Sequence, residues 1–170
     1  MNAIQALTTR RSYRGAYTDA PVPREDLRRI LEAGLAAPSG CNLQTTSLVG
    51  VDDPAILKEL HAVLNKPNMA GAPAAICVLT QPDIRCAGMS FNVQDYAAAI
   101  ENMLLTIHAL GYASCWVEGY VRGNIGEQML KILRIPEGYQ FAAFLPIGVP
   151  AEEVNVPAFK PFEKRAWFNR

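Results

Sequence analysis

The chain has 170 residues, half of them hydrophobic and about a fifth charged, the make-up expected of one soluble globular domain over residues 1–170. Sixteen basic residues balance sixteen acidic ones, which argues against a broad electrostatic footprint for nucleic acid. No apolar run is long enough to span a bilayer, and residues 1–14 lack the apolar core of a signal peptide, so the expectation is a cytoplasmic protein with no membrane contact.

Asn2 is placed to cap a first helix that runs to Thr9. Arg10-Arg11-Ser12-Tyr13-Arg14 follows. Planar, permanently charged guanidinium forks suit a phosphate, which they grip with paired hydrogen bonds. Each charge-assisted bond is worth about 1.5–3 kcal/mol, so two or three would fix a phosphorylated cofactor. The plainer reading is a solvated basic turn. Arg10, Ser12 and Arg14 are two apart, so an extended backbone points them to one side. In a helix Arg10 and Arg14 would still share a face.

Leu27, Ile30, Leu31, Gly34 and Leu35 recur at helical spacing and predict a helix over 23–37. Glu25 and Asp26 suit its positive end, and Pro38 stops it. Ser39, Gly40 and Asn42 then form a loop of small polar groups able to follow the edge of a ligand. Residues 47–51 read as a short strand. Asp52 or Asp53 caps a helix carrying Ile56, Leu57, Leu60 and Leu64, which breaks at Asn65-Lys66-Pro67-Asn68. Residues 74–80 are a continuous apolar run, a strand buried on both faces.

The longest helix spans 92–110 and ends at Gly111. It is apolar over more than one face, so it is either the central core helix or packed on a second subunit. Residues 113–117 read as a third strand, turning at Glu118-Gly119-Tyr120. Asn124 with Glu127 resembles a capping box for a helix through Leu133. Residues 136–139 form a turn, and 140–149 a fourth strand interrupted by Pro146. The tail, 150–170, has no strong periodicity. It keeps Phe159, Phe162, Trp167 and Phe168, which predicts packing on the core or on a partner subunit. Helices alternate with strands, so the domain is a layered α/β or α+β structure.

Several chemistries lack support. Cys41, Cys77, Cys86 and Cys115 form no Cys-x-x-Cys pair, and neither His61 nor His108 sits at ligand spacing from them, so no metal site is expected. Cys77 and Cys115 read as buried thiols inside strands. Both histidines fall in helical patterns and read as core or helix-surface residues. No Gly-x-Gly-x-x-Gly and no Gly-Lys-Ser/Thr loop occurs, so phosphate binding must come from side chains.

Taken in order, four segments resemble the nitroreductase family of flavoproteins: R-R-S-Y-R at 10–14, A-P-S-G-C-N-L-Q at 37–44, the helix and strand of 97–116, and V-E-G at 117–119. The F-L-P-I-G-V-P run at 144–150 is similar to the family's last core strand. The resemblance implies an α+β fold with three α/β/α layers around a mostly antiparallel sheet. It also implies a homodimer with an extensive interface and two FMN molecules in clefts between the protomers. On that resemblance Arg10 and Ser12 are phosphate or ribityl ligands, with Arg11 beside them. Arg14 lies nearest the pyrimidine edge, where reduction builds negative charge that a cation would favour. Pro38, Ser39, Gly40 and Asn42 reach the same flavin from the other subunit, with Gln44 in support.

Asn65 matches the family's asparagine. The family's nearby basic residue falls at Asn68, while this chain carries Lys66. Glu118 and Gly119 match the turn whose backbone N–H faces flavin N5, so no side chain is assigned as catalytic. Lys160 matches the C-terminal phosphate ligand, with Arg165 as the alternative. The usual aromatic after Gln44 is replaced by Thr45-Thr46, and the chain is short for the family. The implied activity is NAD(P)H-dependent reduction of a nitroaromatic, quinone or similar acceptor by ping-pong transfer. A flavin-storage or redox-sensing module with little turnover is the second reading, and a dimeric scaffold without cofactor the third.

Overall fold

In the computed structural model, the described residues are 1–69, 71–154, 156 and 158–169, without the side chain of Asn68. Short-range signals set most helix ends. Helix α1 (Ala3–Thr9) begins where the Asn2 side chain accepts from the Gln5 N–H at 2.9 Å. Helix α3 (Pro54–Leu64) begins under Asp53, which accepts from Ala55 and Ile56, with Pro54 at its first turn. It ends at Asn65, whose φ of 50° is left-handed. Helices α2 (Arg24–Leu35) and α4 (Asn92–Ala109) lie within the predicted spans. Helix α5 (Asn124–Ile132) corrects the capping-box expectation. Gly123, at φ 65° and ψ −136°, is the cap, Asn124 is already helical, and no side chain bonds the cap.

Strands β1 (Thr46–Val51), β2 (Ala74–Thr80) and β3 (Gln140–Ile147) pair antiparallel in the order β1-β2-β3. Every residue of β2 is buried, as its unbroken apolar run predicts. Its alternate residues serve two cores. Ala74, Ile76 and Val78 face one side with Leu27 and Ile30 of α2 and with Ile100, Met103 and Ile107 of α4. Ala75, Cys77 and Leu79 face the other with Leu57 and Leu60 of α3 and Met129 of α5. Helices on both faces of one sheet give the expected three layers. A bulge in the β2–β3 ladder beside Val78 puts Ala142 and Ala143 in the same core. Burial of Tyr96, Ile100, Met103, Leu104 and Ile107 makes α4 the central core helix of this chain. It lies so close to α2 that a Cβ at Gly34 would come 2.8 Å from Leu48 and Met103.

The predicted strand at 113–117 pairs only at its ends. Ala113 bridges Gly148 and Val117 bridges Phe144, both antiparallel. In that register the pair between them is Cys115 with Pro146. Proline has no N–H to donate, so the ladder is interrupted there and the strand is not continuous. Residues 145 and 147 pair on the other side, with Ile76 and Ala74, so the β2–β3 ladder survives the proline. The tail aromatics Phe159, Phe162, Trp167 and Phe168 are exposed in the single chain, while Val154 packs against buried Tyr13 and Tyr17. No helix among the described residues is long and apolar enough to cross a membrane.

Candidate functional site

The basic segment is extended, and its alternation is anchored by one residue. Tyr13 is buried, its N–H donates to the Ser114 carbonyl at 2.8 Å, and its hydroxyl donates to the Ala16 carbonyl. Ser12 and Arg14, on either side, are exposed. The half-buried Arg10 lies 3.4 Å from Glu101 through Nε, without hydrogen-bond geometry. Arg11 donates to the carbonyls of Thr8 and Arg10, and its guanidinium stacks 5.1 Å from the Phe159 ring. Nε of both arginines is buried without a hydrogen-bond partner, that of Arg10 facing Glu101 as an ion pair. These groups line a cavity of about 560 Å³ with Ser12, Tyr13, Gly15 and the carboxylates Glu152 and Glu153. Buried, unsatisfied guanidinium donors fit a phosphate. Lys160 is exposed and follows Phe159 in sequence, whereas Arg165 closes the short turn 162–164.

The loop at 38–44 is built differently. Pro38 is exposed and Ser39 half-buried. Cys41, Asn42 and Gln44 have φ of 52°, 54° and 51°, a left-handed conformation costing roughly 1–2 kcal/mol at each non-glycine residue. Local bonds offset part of that strain. Ser39 Oγ accepts from the Gln44 N–H, and Asn42 Oδ1 accepts from Gln44 Nε2, both at 3.1 Å. Gly40 is required because a Cβ there would overlap Phe91. Asp95, in the first turn of α4, is buried and accepts from the Gly40 N–H at 2.8 Å and the Thr45 hydroxyl at 2.6 Å. Cys41 is exposed, and its thiol pKa is raised chiefly by a hydrogen bond shared with Cys86.

The next residue of α4 reaches the third segment. Tyr96 Oη donates to Glu118 Oε1 at 3.1 Å, and Arg122 pairs with the same oxygen at 2.5 Å. Burial and then the Glu118 carboxylate push the Tyr96 phenol up. The Glu118 side chain is thus occupied, and its carbonyl accepts from the Val121 N–H at 3.0 Å. Lys66 Nζ lies 3.6 Å from the Tyr120 ring centroid and ties the Asn65-Lys66 corner to that turn. Asn65 is exposed, and the Asn68 side chain lies outside the described residues.

Two groups of predicted residues therefore form within one chain. Arg10, Arg11, Ser12 and Arg14 lie beside Ser114. Loop 39–44 and the 118–119 turn meet the start of α4 through Asp95 and Tyr96, while Asn65 lines a separate cavity with His61 and Pro73. The 113–117 segment joins them, from Ser114 to Glu118, about 13 Å at strand rise. Sequence reasoning missed Asp95 and Thr45, and left open whether Tyr96 lines a cleft or packs the core. The available signal was an acidic residue in the first turn of an otherwise apolar helix. No group of three or more His, Cys, Asp or Glu residues able to hold a metal occurs among the described residues.

The nitroreductase family model matches residues 7–66 and 53–149. A protein of Archaeoglobus fulgidus named "Putative NADH dehydrogenase/NAD(P)H nitroreductase" is 33% identical over 151 residues, 88% of this chain and 86% of that protein. An FMN reductase [NAD(P)H] of Bacillus subtilis is 30% identical over 168 residues, covering 88% of this chain and 66% of its own length. The solved structure of an FMN-dependent nitroreductase from Clostridium difficile R20291 superposes with a TM-score of 0.78 at 28% identity, covering 98% of this chain and 99% of that one.

Proposed function

The chain belongs to the nitroreductase family, and from that premise we propose that it is an NAD(P)H-dependent FMN oxidoreductase working as a homodimer. The observation that carries this reading is the pair of segments joined by residues 113–117. At one end the basic segment, with two guanidinium Nε atoms buried without a hydrogen bond, is bonded to Ser114, and at the other the Glu118 carboxylate is engaged by Tyr96 and Arg122. When bound, FMN supplies the hydride chemistry. Arg10, Arg11 and Ser12 hold its phosphate and ribityl chain, with Lys160 or Arg165 completing the phosphate set. Arg14 stands at the pyrimidine edge and stabilises the negative charge that develops there. Asn65 contacts the ring edge.

The Glu118–Gly119 backbone offers an N–H to N5 and orients the ring. Tyr96 and Arg122 keep the Glu118 carboxylate out of proton transfer. Pro38, Ser39, Gly40 and Asn42, supported by Gln44, belong to the partner's flavin site. The exposed Phe159, Phe162, Trp167 and Phe168 then pack on the partner subunit. With one cleft serving donor and acceptor in turn, the kinetics are ping-pong, and nitroaromatics or quinones are the acceptor class.

The test is the visible spectrum of the purified protein under anaerobic conditions, before and after NADPH and then NADH. Flavin bands that bleach support the enzyme. Bands that persist favour a storage or sensing role. A colourless protein that takes up no added FMN overturns the reading.

A further inference from the structure

The buried charge that this reading leaves unused is Asp95. Its side chain is almost fully enclosed, with 3% of the residue exposed, and it makes no ion pair among the described residues. A buried carboxylate without a cation is costly unless donors and dipoles replace water. Here the replacements are the Gly40 N–H, the Thr45 hydroxyl and the positive end of α4. The two donors come from opposite ends of one loop, and between them lie the left-handed residues Cys41, Asn42 and Gln44. Phe91 is one helical turn before Asp95, and the Asp95 N–H donates to the Phe91 carbonyl at 2.8 Å. The same turn of α4 therefore provides the surface on which Gly40 rests and the group that grips the loop.

We infer that Asp95 is a positioning residue: it holds the 39–45 loop in its flavin-receiving shape before any flavin arrives. The inference rests on the proposed flavin site, which the loop serves. A carboxylate suits the task because it only accepts, and both partners donate. An asparagine retains one accepting oxygen for Gly40. Its amide can donate to Thr45 if that hydroxyl rotates, so Asp95→Asn should restore what Asp95→Ala removes. A buried polar pair with a purely structural role would lower the melting temperature in either variant and leave the loop's chemistry alone.

Cys41 gives a readout that needs no flavin. It is exposed on the loop, while Cys77 and Cys115 are buried. In a Cys86→Ser parent, iodoacetamide modification of Cys41, followed by mass spectrometry on flavin-free protein, reports loop order. Fluorescence quenching gives the FMN Kd, and circular dichroism the fold. In Asp95→Ala, which removes both bonds, the modification rate and the Kd should each rise by at least about tenfold, the effect of losing even one charge-assisted bond. Asp95→Asn should stay within about threefold of the parent, because neutral bonds of the same geometry remain.

Parent-like modification and Kd in a folded Asp95→Ala overturn the inference, even if its melting temperature falls. Should Asp95→Ala not fold, Thr45→Val removes one of the two bonds without exposing a new charge and is read in the same way. A parent that binds no FMN defeats the proposed function. The Cys41 rates still decide whether Asp95 orders the loop.

Discussion

The two halves of the site are held by opposite strategies. Residues 10–14 are extended, with Ser12 and Arg14 exposed, and one buried ring with one backbone bond fixes their direction. Residues 39–45 are strained at three non-glycine positions and pinned at both ends by a buried carboxylate. Charge–phosphate attraction tolerates small displacements, because long arginine side chains can adjust to meet an anion. A loop that follows the rim of a planar ring does not adjust in this way, so its shape must be built in advance. On the proposed flavin roles, positive φ concentrated in the loop and absent from the basic segment fits that difference.

The largest effect expected is at Tyr13. Tyr13→Ala empties a buried aromatic site and should destabilise the protein by about 3–5 kcal/mol, read as a large fall in melting temperature. A small fall would mean that the basic segment has another anchor. Gly40→Ala comes next. Its Cβ meets Phe91, and overpacking of this kind costs about 1–3 kcal/mol. FMN affinity should drop with it while His108 stays undisturbed, which keeps the two halves separable.

A gentler probe is His108, bonded to Thr9 at 2.8 Å. Its pKa lies below the ordinary histidine value because of burial and then the charges of Arg10 and Arg11. A phosphate on those arginines should raise it, and an NMR titration with and without FMN reads the change. Because the folded state disfavours the protonated ring, the related stability is complete above the ordinary histidine pKa and declines as pH falls through it. His61, lowered by burial, adds to the decline, so His61→Leu should flatten it. The smallest structural effect belongs to Ser12→Ala. Ser12 is exposed, so stability should move by less than about 0.5 kcal/mol. FMN binding should still weaken, and an unchanged Kd would remove Ser12 from the phosphate set.

What was legible in the sequence was mostly short-range. Asn2 and Asp53 signal their helices because a cap acts within three residues, and the apolar run at 74–80 signals a central strand because burial on both faces leaves no polar position. Asn124 misled because Gly123, one residue earlier, supplies the unusual backbone that starts α5. The alternation of Arg10, Ser12 and Arg14 was readable, but the buried Tyr13 that enforces it depends on Ser114, a hundred residues away. Asp95 was not readable as a loop anchor, because its partners Gly40 and Thr45 are fifty or more residues distant. The left-handed turns at Cys41 and Gln44 were equally hidden, since neither residue type advertises positive φ.

The missing N–H of Pro146 bears on how the two halves communicate. Cys115 sits opposite it, and no described backbone bond joins it to β3, although one residue earlier the Ser114 carbonyl accepts from the Tyr13 N–H. Mechanically the segment is a beam pinned to β3 at its ends and to the basic segment at Ser114, with no described backbone bond at Cys115. In amide hydrogen exchange Cys115 should therefore lose protection before Ala113 and Val117, although it is as deeply buried as they are. Such a beam can bow without unfastening either support, so the spacing between the basic segment and the Glu118–Gly119 turn has its own compliance, independent of the rigid sheet behind it.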